Sequence, residues 1–145
     1  MILKGLATVI AVLALLAVAY LLHARLVANP KVVEELRTNP TGARAARVAL
    51  LTFADGGAIP VNYLHEGDKV FVGADGLWWR KFRDGGAAVS VLMRGESRTG
   101  HAVVVLDDPR YVEDVFSRLR PTVPKWLPDW LNGKLVVVTL DPSPN

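Results

Sequence analysis

No cysteine occurs in the 145 residues. That excludes disulfide bonds and thiolate metal ligands, and it leaves the compartment open, because exported proteins can also lack cysteine. Histidine is scarce too: His23, His65 and His101 have neither a second histidine nor a carboxylate at ligand spacing, so no metal site is expected. No Gly-x-Gly-x-x-Gly follows a strand and opens a helix; Gly56-Gly57 and Gly85-Gly86 read as turns. Neither Ser90, inside a strand-like run, nor Ser97, beside Glu96 in a turn, has the context of a nucleophile elbow. A dominant charge is also missing. Without residues 1–22 the chain has 16 basic and 14 acidic residues, a net of +2, too balanced for a nucleic-acid-binding domain.

What the chain does have is one long apolar run. Gly5 to Leu22 (GLATVIAVLALLAVAYLL) carries no charge, and eighteen residues in a helix cover about 27 Å, close to the hydrocarbon thickness of a bilayer. Three readings compete. A soluble core helix would keep a polar face, which this run lacks. A cleaved signal is suggested by Lys4 and by Ala17-Val18-Ala19, yet apolar residues continue through Tyr20, Leu21 and Leu22. The favoured reading is a transmembrane anchor over 1–23. Lys4 precedes it, whereas Arg25, Lys31, Arg37, Arg44 and Arg47 follow, so the positive-inside rule places the globular part in the cytoplasm.

Residues 24–43 read as a connector, with turn signals at Asn29-Pro30 and Asn39-Pro40. Between them Val32, Val33 and Leu36 share one side of a short helix that could rest on the membrane or on the domain. Residues 44–145 suffice for one core. Within them Arg47–Phe53, Ile59–His65, Lys69–Ala74, Ala87–Arg94, His101–Leu106 and Lys134–Leu140 read as strands, separated by Asp-Gly, Glu-Gly and Gly-Gly turns. Leu77–Arg83 (LWWRKFR) can form about two helical turns. A longer amphipathic helix begins at Asp107-Asp108-Pro109, an acidic cap followed by proline, and ends near Arg118 and Arg120, where the macrodipole favours cations. The expected class is α+β, mainly β: a six-stranded closed or split β-barrel with one short and one longer helix, one end closed by a helix.

Gly76-Leu77-Trp78-Trp79-Arg80-Lys81-Phe82, then Gly85 to Val91, Arg94-Gly95 and Ala102 to Val105 resemble the corresponding segment of the deazaflavin (F420)-dependent nitroreductase-like family. The resemblance is sharp from Gly76 to Val105 and extends from Ala46 to Leu140 in element order. It implies the split barrel shared by flavin- and F420-binding oxidoreductases, with the cofactor in a groove lined by Gly73, Ala74, Asp75 and Gly76 and flanked by Trp79, Arg80 and Lys81. A helix start at Gly76 would add backbone N–H donors for a phosphate. Two positions depart from the family pattern. Ala54-Asp55-Gly56-Gly57 stands where many members carry a basic loop, and Lys81 where asparagine is common. Asp55 would repel an anionic cofactor tail locally. FMN, a tetrapyrrole such as haem, or no cofactor are therefore alternatives to F420.

Because a flavin-type cofactor carries the chemistry of hydride transfer, the missing triad does not argue against an enzyme. Tyr63, His65, His101 and Tyr111 are the proton donors to consider; Tyr63 shares a face with Ile59 and Val61 and reads equally as core. In the loop Pro121–Asn132, Trp126 and Trp130 stand at i, i+4, suited to a lid over an apolar substrate, a contact with the headgroup region or a cap on the barrel. Tyr63, Trp126 and Trp130 form the substrate-side expectation. The function expected is thus a membrane-anchored oxidoreductase acting on an apolar quinone or nitro compound. The alternative is a non-enzymatic barrel binding a lipid, a tetrapyrrole or a protein at the membrane. Exposed strand edges and the family habit point to a homodimer.

Overall fold

The computed structural model describes residues 2–24, 29–124, 126–127 and 133–143. Helix α1 spans Ile2–His23, and its Gly5–His23 portion is long and apolar enough to cross a membrane and is nowhere buried against the rest of the chain. Helix α2, Asn29–Thr38, carries Pro30 in its first turn, where a missing N–H costs nothing. Its Val32, Val33 and Leu36 stripe rests on the domain: Leu36 is buried with Ala45 and Leu50, beside Val48, Ala58 and Leu92. Glu35 Oε2 accepts from Arg44 Nε at 2.7 Å and ties the helix to the turn Arg44–Ala46 that leads into the barrel.

The six strands are β1 (Val48–Phe53), β2 (Ala58–Glu66), β3 (Lys69–Ala74), β4 (Ala87–Met93), β5 (Glu96–Val105) and β6 (Lys134–Leu140). All pairings are antiparallel, and the spatial order β1-β2-β3-β6-β5-β4 closes through β4 on β1, with Leu51 opposite Val91. Closure pairs each of these strands on both sides. Inward side chains such as Leu51, Val70, Val72, Val91, Val136 and Val138 fill the interior. The near-continuous apolar runs of β1, β3 and β6 follow from double burial. Leu50 lies outward beneath α2, and Phe71 and Leu135 lie outward beneath helix α3 (Pro109–Leu119), against Val115 and Phe116.

One expectation needs correction. Strand β5 begins at Glu96, five residues before His101. Its first half, Glu-Ser-Arg-Thr-Gly, lacks apolar alternation because its outer face meets no helix among the described residues; there Ser97 Oγ is 3.2 Å from Ser90 Oγ and Thr99 donates to Asp141 Oδ2 at 2.6 Å. The barrel end is closed, as expected, by a short helix, Leu77–Phe82, which is of the 3-10 type, while the long α3 lies across the outside. We call Leu77–Phe82 the plug. Phe82, 1% exposed, enters the core, and its ring lies 6.0 Å from Phe53 and 6.1 Å from Trp78, centre to centre. The plug sits where β1, β3 and β5 finish and β2, β4 and β6 begin. Helix α3 starts as its sequence predicts: the Asp108 carboxylate accepts from the Tyr111 N–H at 3.0 Å, with Pro109 next.

Candidate functional site

The residues expected to hold a cofactor lie at the end of β3, on the two residues that follow it and on the plug. Gly73 and Ala74 pair with Leu135 and Lys134 of β6. Alternation turns Ala74 into the core, 1% exposed, so only its backbone can line a groove. Gly73 points outward, and the Arg120 guanidinium lies on it; a Cβ there would come within 2.6 Å of Arg120 Cζ and 2.9 Å of Nε. Arg120 reaches on to Asp75, making Nη1–Oδ1 and Nη2–Oδ2 contacts of 2.9 and 3.1 Å. Gly76 is extended and leads straight into the plug.

On the plug, half-buried Trp79 is flanked by two guanidinium groups, with Arg80 Cζ at 5.8 Å and Arg83 Cζ at 5.5 Å from its ring centre. Both arginines are exposed, and neither makes an ion pair among the described residues. Lys81 differs: its Nζ is 2.6 Å from Asp55 Oδ2 and 5.2 Å from the centre of the Phe53 ring. The hydrogen bond from Lys81 and that from the Gly57 N–H hold the Asp55 carboxyl below its ordinary range. Asp55 therefore acts first on Lys81, neutralising it, where its expected effect was to repel a cofactor tail.

Two cavities open near the plug end. The larger, about 490 Å³, lies between α3, the chain that follows it and the start of β6; Val112, Phe116 and Leu135 line it with Leu106 and Leu127, and Arg110, Arg120 and Lys134 add charge. The smaller, about 270 Å³, is bounded by Phe53, Asp55, Lys81, Phe82 and Ala87. Of the seven predicted cofactor residues only Lys81 lines either cavity. Gly73 lies beneath Arg120 and Asp75 pairs with it, Ala74 turns into the core, and Gly76 leads into the plug, where Trp79 packs half-buried against the core and Arg80 is exposed. The structure thus places the set along one end of the barrel without gathering it into a single cavity.

The substrate-side residues separate. Tyr63 packs on the barrel core, and its hydroxyl donates to the Ala45 carbonyl at 3.2 Å. Trp126 is 79% exposed and stands next to Leu127, which lines the larger cavity. Trp130 lies outside the described residues. Of the other proton-donor candidates, His65 Nε2 is 3.0 Å from the Gly67 carbonyl and His101 Nε2 is 2.6 Å from that of Gly85. Since a carbonyl only accepts, each Nε2 carries its proton. Tyr111 stands edge-on to Phe71, 6.4 Å between ring centres. Arg83, part of a basic cluster in the sequence, and Arg120 were not among the residues expected to hold a cofactor. Arg120 read there as a helix-end cation, and its partner lies 45 positions away.

No protein-family model matches the chain, and no curated protein matches it. Among solved structures, it is similar to the crystal structure of a Listeria innocua protein named "putative pyridoxamine 5'-phosphate oxidase", with a TM-score of 0.53 and 15% identity over 78% of this chain and 93% of that one. At that identity the likeness is one of fold: the two chains share the split β-barrel.

Proposed function

We propose that this chain is a membrane-anchored oxidoreductase that uses a deazaflavin of the F420 type, or FMN, to reduce or oxidise an apolar quinone or nitro compound. The observation that carries the reading is the barrel itself, similar along nearly the whole length of a protein named for an oxidase. The residues at the plug end fit a planar, phosphate-bearing group: Arg80 and Arg83 offer charge to a phosphate, and Trp79 between them offers an aromatic face. The cofactor would supply the hydride. The chain's task is to bind and orient it and to keep water from the reacting faces. The larger cavity, with Val112, Phe116 and Leu135 as its apolar wall, lies within the size range of small-molecule sites and suits the apolar substrate. Helix α1 would hold the domain at the membrane where such a substrate dissolves, and the basic residues after it favour the cytoplasmic side.

A second reading, a non-enzymatic ligand-binding module, is favoured by one observation: Lys81 and Arg120 are engaged by Asp55 and Asp75. The variant Arg80→Ala/Arg83→Ala separates the two. The oxidoreductase reading expects cofactor affinity to fall by about tenfold or more, as loss of charge-assisted contacts implies, with an unchanged melting temperature. Unaltered affinity would count against it.

A further inference from the structure

Outside α1, the exposed large apolar side chains among the described residues are Leu77, Val103, Leu106 and Trp126. They share one end of the molecule. Leu77 opens the plug, Leu106 follows the last residue of β5, Val103 lies two residues before that last residue, and Trp126 adjoins Leu127 on the cavity wall beside Leu106. The opposite end, with the Glu66–Lys69 and Arg94–Glu96 turns, has none. Isolated exposed apolar residues are ordinary, but a set confined to one end marks a contact surface.

The connection to α1 says what lies there. Helix α2 ends at the opposite end, where Pro40 and Thr41 meet Gly95. Its apolar cluster reaches back along the outside of β1 and β2 to Ala58, the first residue of β2 at the plug end. The chain therefore enters the domain from the plug side. Five residues separate His23 from Asn29, a stretch that covers at most about 22 Å. With α1 in a bilayer, that reach is short enough for the plug end to sit on the bilayer surface.

We infer that the plug end rests on the lipid surface, with Leu77, Leu106 and Trp126 at headgroup depth. The inference rests on the membrane-anchored reading of α1 and needs no cofactor. Tryptophan and leucine suit this depth. Asp84, Asp107 and Glu113 keep the charge of this end near balance, so contact depends on insertion and survives high salt. Placed so, the larger cavity, lined in part by Leu106 and Leu127, lies close to the lipid, a short route for an apolar substrate.

The chain contains its own reporters, because all four tryptophans lie outside α1. The full chain is reconstituted into phosphatidylcholine–phosphatidylglycerol vesicles with and without brominated phosphatidylcholine, and its flotation and tryptophan emission are measured. The expected result is flotation together with a loss of at least about a quarter of the emission, Trp126 being one of four. Trp126→Phe should reduce the loss. Leu77→Asp/Leu106→Asp should float and lose little emission. A wild-type chain that floats with unquenched emission overturns the docking and leaves the anchor standing, and a chain that does not float overturns both. Neither result bears on F420 or FMN binding, which is measured separately.

Discussion

Arg120 closes on Asp75 through two contacts, 2.9 and 3.1 Å, while its guanidinium plane lies on Gly73. The end of α3 is thereby fastened to the end of β3, beside the plug. A side chain at Gly73 would occupy the guanidinium's place. Gly73→Ala should therefore break the pair and cost about 1 kcal/mol. In Gly73→Ala/Arg120→Ala that penalty should shrink, giving a coupling of about 0.5–1 kcal/mol in a denaturation cycle.

The pair between Lys81 and Asp55 depends on pH in a defined direction. The folded state holds the Asp55 pKa below its ordinary 3.8, so the stabilisation is present above that value and is lost as pH falls through the folded-state pKa. The melting temperatures of wild type and Asp55→Asn should differ near neutrality and converge in acid. Because the substitution also releases Lys81, it should tighten binding of an anionic cofactor if the phosphate lies near that cation, a change that titration reads directly.

Phe82 is the only plug residue sealed in the core, at 1% exposure. Phe82→Ala should cost about 3–5 kcal/mol by denaturant unfolding. Trp78, whose ring meets Phe82 edge-on, should shift its emission to the red as water reaches it.

Gly100 marks a close crossing of β5 and β6. A Cβ there would meet the Thr139 carbonyl oxygen and come within 3.1 Å of Leu140 Cα, both backbone atoms with no easy retreat. Gly100→Ala should cost about 2–4 kcal/mol, more than Gly73→Ala, where the obstacle is the tip of a flexible side chain.

The strands were legible wherever burial wrote itself into the residues. Val70, Val72 and Val138 point into the barrel while Phe71 and Leu135 meet α3, so β3 and β6 read as apolar runs. The start of β5 was not legible, because Ser97 and Thr99 face no covering element and bond to Ser90 and Asp141 instead. The helix over Asn29–Thr38 was visible in the Val32, Val33, Leu36 stripe, but nothing local could tell a lipid surface from Leu50. The candidate site was legible in part. Arg80 beside Trp79 follows from adjacency in the chain, whereas Lys81 with Asp55 and Arg120 with Asp75 join positions 26 and 45 residues apart. Such pairs appear only once the barrel brings β1, β3 and α3 to the same end.

The most direct test of the central claim is a parallel titration of the full chain in detergent with F420 and with FMN, followed by tryptophan quenching. Saturable binding of one of them at about micromolar or tighter, weakened in Arg80→Ala/Arg83→Ala, is the expected result. Absence of binding by both would contradict the oxidoreductase reading and leave the barrel as a ligand-binding module.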